Sequence, residues 1–426
     1  MNTIAYLNNH TGNFATIRTD LYTFGICWCD SLNGKFANHS KFRVILYLDR
    51  RCADFKNPMV RECNGLVLEY VKEKGWAVLV VPPQAFNLNQ ISMKYLFQLY
   101  TSGVYNVYEA LDSTIVNLYY YENKWCLATN KGYDSSNIIL SGNKTYLEVF
   151  NNILENKYAK FNYDNLEKHI SYTFSIRYAP YHIFNEVAGI QSNNCSIKDR
   201  TTAFGCNSIE LIQAVNCYTL RPSYDGVNGI NTQTIVKFKD RNLNTLLNNV
   251  KNAYTRYEKS IKMGNTKNKP FYGYILRTSN ASVPDEYKNI YLESSLMKLI
   301  RNGIYKNNDP LRNLDYNKIA YTLFMNRSYI DKYKIVFSQF NYKFEKLFEF
   351  IQQLTANIKL SLKHELTIDN PIVNKFIQLI ILDMKSNNII STQNNDISES
   401  VIYDFIYNKK YQTELYDLVN QLNVFT

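Results

Sequence analysis

Through roughly the first 245 residues, apolar and polar positions alternate in short runs; beyond that point, apolar residues recur at intervals of three and four. Alternation sends successive side chains to opposite faces of a strand, whereas the longer intervals line one face of a helix. Strands are therefore predicted over 42–47, 65–70 and 76–81, the last closed by Pro82 and Pro83. Residues 114–121 and 124–128 read as a hairpin turning at Glu122 and Asn123. Over 134–163 the pattern is helical, with Tyr146, Val149, Phe150 and Ile153 on one face. Strand character returns over 172–183 and 234–238. In the second half, Phe344, Leu347, Phe348, Ile351 and Leu354 form an amphipathic stripe. Ile372, Val373, Phe376, Ile377 and Ile380 form another behind Pro371, a residue suited to a first helical turn. Leu415, Leu418, Val419 and Leu422 form a third. These stripes are assigned to packing, not to chemistry, and no internal repeat is found. The pattern predicts an α+β fold: an antiparallel-sheet domain over 1–245, then an all-α domain over 246–426.

Composition adds direction. A chain of 426 residues exceeds what one core usually serves, and 46% hydrophobic content is enough to fill two. The formal charge of +11 serves either solubility alone or a polyanionic partner, and 36 Tyr and 23 Phe offer faces on which unstacked RNA bases can lie. The eight cysteines (27, 29, 52, 63, 126, 195, 206 and 217) include no Cys-x-x-Cys pair, and Cys27-x-Cys29 lacks a second pair at finger-like spacing. The five histidines have no Cys or carboxylate at ligand spacing, so no metal site is assigned. No signal-peptide core and no apolar run of about 18 residues occurs. The expectation is a reduced, cytoplasmic protein without a membrane partner.

Four blocks lie in order along the strand-rich half. Phe42-Arg43-Val44 is followed by Arg61-Glu62-Cys63-Asn64-Gly65-Leu66-Val67-Leu68-Glu69. Next come Pro82-Pro83-Gln84-Ala85-Phe86-Asn87-Leu88-Asn89 and Glu109-Ala110-Leu111-Asp112-Ser113-Thr114-Ile115-Val116. The last is Asp225-Gly226-Val227 with Val236-Lys237-Phe238-Lys239. No block is specific alone. Their order and spacing, over roughly residues 40–245, resemble the phage-type RNA ligases that repair tRNA. That family carries Glu-Cys-Arg-Gly, Pro-x-x-Lys-Phe-Phe-Asn-Leu, Lys-x-Asp-Gly-Ser-Leu, then Glu-Gly-x-Val with Lys-x-Lys. The resemblance implies a covalent nucleotidyltransferase fold; for the helical half it rests on position alone.

Such a ligase attacks the α-phosphate of ATP with a lysine amine and passes AMP to an RNA 5′-phosphate, where a 3′-hydroxyl displaces it. Lysines neutralise the phosphates, and carboxylates hold Mg²⁺ and the ribose. Here the nucleophile's position is Ala110, and a methyl group cannot attack phosphorus. Asn64 stands for an arginine, Ser113 for a glycine, and Gln84 or Ala85 for the basic residue before Phe86. Phe174-Ser175-Ile176 lacks the glutamate of a Phe-Glu-Phe element, and Asp225 replaces a glutamate. Several losses together describe a drifted site, and no catalytic residue is assigned.

Asp112, Asp225, Lys237 and Lys239 are retained, either as surface charges on strands or as the remnant of a nucleotide-phosphate floor. Lys131-Gly132 lies where the family has a further Lys-Gly, and Glu109 and Lys124 read as strand-edge residues. Downstream, Lys251, Arg256, Lys259, Lys262, Lys267 and Lys269, with Tyr254 and Tyr257 among them, face one acid, Glu258. That run is either a solvated helix face or an extension of a phosphate track, with Lys251, Arg256, Lys259 and Lys262 as candidate RNA contacts. The leading expectation is an RNA-binding protein on a ligase fold, its partner tRNA or another structured RNA. The first alternative is an active ligase using ATP, Mg²⁺ and a relocated lysine such as Lys131. The second is a subunit of a viral assembly, with viral protein partners and packaging in a virion. The Asn-, Ile-, Lys- and Tyr-rich composition fits an AT-rich viral genome.

Overall fold

The computed structural model describes residues 1–10, 13–35, 39–49, 52–83, 92–110, 113–141, 143–178, 207–223, 227, 229–230, 232–238, 241–264, 271–278, 280, 282–284, 287–304, 316–363, 369–387, 389–390 and 397–425. Helix α1 (Asn2–Asn9) owes its start to a residue far along the chain. The buried Glu62 carboxylate accepts from the Asn2 and Thr3 N–H groups, Asn2 Nδ2 and Thr3 Oγ1 at 2.7–3.0 Å. These include orphan donors of a helix N-terminus, where negative charge is favoured. Helix α2 (Phe14–Thr23) is capped by Asn13, which accepts from the Thr16 N–H. Strands β1 (Ile26–Asp30) and β2 (Lys41–Leu48) lead to α3 (Pro58–Glu62), β3 (Leu66–Val71) and β4 (Gly75–Val80). The four strands form an antiparallel sheet in chain order. Its outer face buries Leu7, Ile17 and Leu21 of the helices against Trp28, Phe42, Tyr70 and Trp76.

After α4 (Met93–Thr101) come β5 (Asn106–Glu109), β6 (Thr114–Tyr121), β7 (Lys124–Ala128), β8 (Ile139–Ser141), β9 (Lys144–Thr145), α5 (Tyr146–Lys157), β10 (Ile170–Arg177), β11 (Ser208–Asn216) and β12 (Pro222–Ser223). A second antiparallel sheet runs β12-β11-β10-β6-β7. The predicted hairpin is there, with Glu122 and Asn123 at φ 47° and 62°, as a tight two-residue turn requires. The helix expected within 134–163 is α5, shorter than that window and preceded by the β8–β9 pair. The Thr145–Glu148 capping box fixes its start. One face of this sheet packs on α5 through Val116, Leu118, Phe150, Ile153 and Phe174. The other meets the first sheet, where Ile45, Val67 and Val80 contact Tyr119, Tyr121, Cys126 and Ala128. Arg43 crosses this junction. Its Nη1 donates to Tyr119 Oη at 2.9 Å, and its guanidinium lies 4.1 Å and 4.9 Å from the Tyr121 and Tyr133 ring centroids.

The third sheet corrects the expected domain division. Helices α6 (Leu243–Lys251) and α7 (Ala253–Lys262) are followed by β13 (Gly273–Arg277) and β14 (Asn289–Glu293), which build a sheet in the order β14-β13-β5. Residues 246–298 are thus not part of an all-α domain. They complete the strand-rich unit, because β5 takes its partner from β13, and Leu96, Tyr100 and Val107 share a core with Leu246, Leu276 and Leu292. The compact units are Met1–Lys298 and Leu299–Thr426, with the division inside α8 (Ser295–Ile304). In the second unit the described elements are helical: α9 (Tyr316–Met325), α10 (Ile330–Val336), α11 (Asn341–Leu362), α12 (Pro371–Ser386), α13 (Glu399–Ile406) and α14 (Gln412–Gln421), with short 3₁₀ turns at Arg327–Tyr329, Ser338–Phe340 and Lys409–Tyr411. The predicted stripes bury Phe344, Leu347, Ile351 and Leu354 on α11, and Val373, Phe376, Ile377 and Ile380 on α12. Phe348 and Ile372 depart from them, 50% and 43% exposed. No helix among the described residues is long and apolar enough to cross a membrane.

A chain cut at residue 245 leaves β5 without β13 and uncovers the apolar side of α4. A fragment of residues 1–298 is expected to unfold cooperatively in urea, whereas residues 1–245 bind a hydrophobic dye and aggregate. Equal cooperativity of the two fragments would restore the earlier boundary.

Candidate functional site: a sheet face around Ala110

Strand β5 is flanked on both edges. On one side lies β13, with Arg277 opposite Asn106, Ile275 opposite Tyr108 and the Ala110 N–H donating to Gly273 O at 2.9 Å. On the other lies the segment 232–238, with Ile235 bridged to Tyr108 and the Val236 N–H donating to Val107 O at 2.7 Å. The strand predicted over 234–238 is therefore present as this local pairing, not as a regular strand. Continuing the antiparallel register places Lys237 opposite Asn106 and Gln233 opposite Ala110. Alternation then sorts the side chains. Val107, Tyr274, Leu276 and Phe238 enter the core shared with α4 and α6. Asn106, Tyr108, Ala110, Gln233, Lys237 and Arg277 belong to the opposite face.

On that face Ala110 is buried and Lys237 exposed. Gln233 binds in two directions, donating from Nε2 to Glu109 O and accepting from Arg277 Nη1, both at 2.9 Å. The Arg277 guanidinium lies 5.0 Å from the Tyr108 ring centroid. Burial pushes this guanidinium down to about 10, with Tyr108 opposing the effect weakly. Sequence patterning missed Arg277 because it lies beyond the last motif block. An isolated arginine on a five-residue strand carries no spacing signal.

A second polar surface lies on the second sheet, on the side away from α5. Thr173 Oγ1 donates to Asn117 Oδ1 at 2.7 Å, and Gln213 Nε2 donates to Val81 O at 2.9 Å. Ser175, where the resemblance calls for a glutamate, is buried opposite Glu210 and Ile115, and its Oγ has no hydrogen-bond partner among the described residues. Arg177 Nε is likewise unpartnered. Burial raises the Glu210 carboxyl above its ordinary value, and the Arg177 charge opposes that rise.

Other predicted site residues have structural roles. Glu62 is the α1 cap. Gly65, beside Asn64, sits at φ 97°, and a Cβ there would lie 3.0 Å from Asn130 Cα, so that close approach favours glycine. The neighbouring Lys131 is exposed on the turn after β7, its N–H donating to Thr129 Oγ1. In the basic run Lys251, Arg256, Lys259 and Lys262 are exposed. Arg256 bonds back to Asn249 through Nη1 and Nη2, and Lys262 pairs with Glu258 at 2.8 Å. Tyr257 is core, so it offers no face to a base. Asp112, Asp225, Lys239, Lys267 and Lys269, with Gln84 and Ala85, lie outside the described residues. Among the described residues no cluster of three His, Cys, Asp or Glu side chains could hold a metal ion.

No family model matches the chain. Among curated proteins it is similar to one named "Putative RNA-ligase" from African swine fever virus, isolate Pretoriuskop, at 22% identity over 402 residues, covering 88% of this chain and 82% of the relative. The counterpart from the Malawi isolate is 23% identical over 376 residues, covering 82% of this chain and 76% of its own. Among solved structures there is a likeness to an archaeal ATP-dependent RNA ligase, with TM-score 0.41 and 11% identity, covering 83% of this chain and 82% of that one. The chain is thus RNA-ligase-like in sequence along most of its length.

The raised Glu210 carboxyl makes stability depend on pH with a defined sign. Its neutral form is favoured by folding, so its contribution is complete below the ordinary carboxylate pKa of ~4.3 and is lost as pH rises through the raised value. Glu210→Gln removes that loss. Urea melts should show the variant gaining stability relative to the native chain between about pH 4 and pH 7. An offset that is the same at both pH values would mean that folding does not perturb Glu210.

Proposed function

We propose that this chain binds RNA on a ligase-type scaffold and forms no lysyl-adenylate at position 110. Ala110 carries the reading. It ends β5 on the face that also holds Lys237, but it presents a buried methyl group, and its N–H is already bonded to Gly273 O. The likeness to viral proteins bearing the RNA-ligase name supports a polynucleotide partner, and structured RNA such as tRNA is the class proposed. Lys237 is the proposed phosphate contact, and Asp112, Asp225 and Lys239, the other retained residues of the motif blocks, are proposed with it. Lys251 and Lys259, exposed on α6 and α7, extend the proposed track. ATP fits this donor set poorly as a covalent partner. Position 110 has no amine, and Ser175 is too short to stand in for a ribose-binding glutamate. A second reading, ligation from another lysine, draws on Lys131, exposed on the turn packed against Gly65.

Intact-mass measurement after incubation with ATP and Mg²⁺ should show no added AMP. An adduct mapped to Lys131 would replace the proposal with the second reading. Ala110→Lys alone is expected to form no adduct and to seal no nicked RNA, because attack also needs ATP held in line.

Binding to a nicked tRNA anticodon stem-loop, followed by fluorescence anisotropy, should weaken steeply with salt through counterion release. Lys237→Ala should reduce the slope of log affinity against log salt by about 1. An unchanged slope would show that Lys237 meets no phosphate.

A further inference from the structure

Arg277, half-buried, differs from Arg43 and Lys41 of the same unit in what surrounds it. Arg43 is enclosed by tyrosine rings and bonded to Tyr119, and Lys41 pairs with Glu69 and Glu122. Arg277 meets a neutral amide and one aromatic face, and among the described residues no carboxylate is placed against it. Guanidinium keeps its proton and carries five N–H donors, of which the Gln233 bond uses one. Taking such a charge partly out of water without an anion is costly, and among the described residues no acid offsets that cost.

The surroundings hold the group in place. Tyr108 lies beneath it, and Gln233 is fixed at its other end by Glu109 O, so it accepts from Arg277 in a set direction. Asn106 and Lys237 stand in the same row across β5, both exposed. At ~4.8 Å between neighbouring chains, that row spans about the width of one phosphoryl group and its donors. Ala110 lies four residues beyond Asn106, just past the end of β5 and on the same face.

We propose that Arg277, with Asn106 and Lys237, forms a site for a phosphoryl oxyanion on this face. The planar fork of Arg277 takes two oxygens, Lys237 supplies a second positive charge from the opposite edge, and Asn106 donates between them. This deepens the RNA-binding reading by naming the group recognised and a residue that recognises it. The same chemistry is offered by a phosphate of RNA and by the polyphosphate of a free nucleotide.

The test uses the full chain with two probes, inorganic pyrophosphate by calorimetry and a 5′-phosphorylated RNA stem-loop by anisotropy. Arg277→Met should lose about tenfold or more in affinity for whichever probe the native chain binds. Its melting temperature without ligand should be unchanged or higher, since a half-buried cation with no carboxylate against it is removed. Arg277→Lys keeps the charge without the fork, preserves the fold, and should still bind several-fold more weakly. Loss for pyrophosphate with no RNA binding by the native chain would uphold the oxyanion site and overturn the RNA reading. RNA binding that is unaffected in both variants would overturn the site and leave the RNA reading standing. Binding of neither probe by the native chain would overturn both.

Discussion

Both edges of a four-residue strand must find hydrogen-bond partners, and most of the first unit is arranged so that β5 does. A strand this short has little stability alone, and an unmet edge buried in protein costs as much as a lost hydrogen bond at each group. The partners come from two later stretches, β13 on one side and 232–238 on the other. Their arrival puts Arg277 and Lys237 on either side of Asn106 and leaves Ala110 at the end of the strand. The same pairing carries the unit to Lys298, because β14 covers β13 and α4 and α6 cover the face behind them.

The motif-like residues have separated into two groups. Some have become structural: Glu62 is committed to the start of α1, and Gly65 serves a close approach of two backbones. Others sit on polar surfaces, Ala110 as a buried methyl group and Ser175 as a buried hydroxyl. The surfaces remain polar or cationic. A scaffold under selection only for packing would be expected to replace Ser175 and Arg177, whose buried Oγ and Nε have no partner among the described residues, since buried unpaired polar groups destabilise.

Much of the architecture was legible in the sequence, and the gaps have physical causes. The β6–β7 hairpin and the α11 and α12 stripes follow from period and turn chemistry, which are local signals. The boundary near 245 was misplaced because the texture does change there, from alternating strands to α6 and α7. What keeps the next fifty residues in the first unit is a pairing to β5, and pairings between distant segments leave no local mark. Strands β5 and β14 are too short for a periodicity, and α1 depends on a cap supplied from α3. At the site, Lys237 could be singled out because it lies in a Lys-x-Lys block. Arg277 could not, since its meaning depends on Gln233 and Tyr108, which only the folded sheet brings to it.

The distance along the chain between β5 and its partners also orders events during synthesis. The first sheet and α1–α3 are built from contacts among the first eighty residues and can close early. The face around Ala110 cannot, because its cations are delivered by segments that leave the ribosome long after β5. Pairings of such high sequence separation form slowly, and a waiting edge strand is an invitation to wrong partners. A newly made chain therefore passes through a period in which β5 stands open, and a chaperone that shields it would act before β13 emerges.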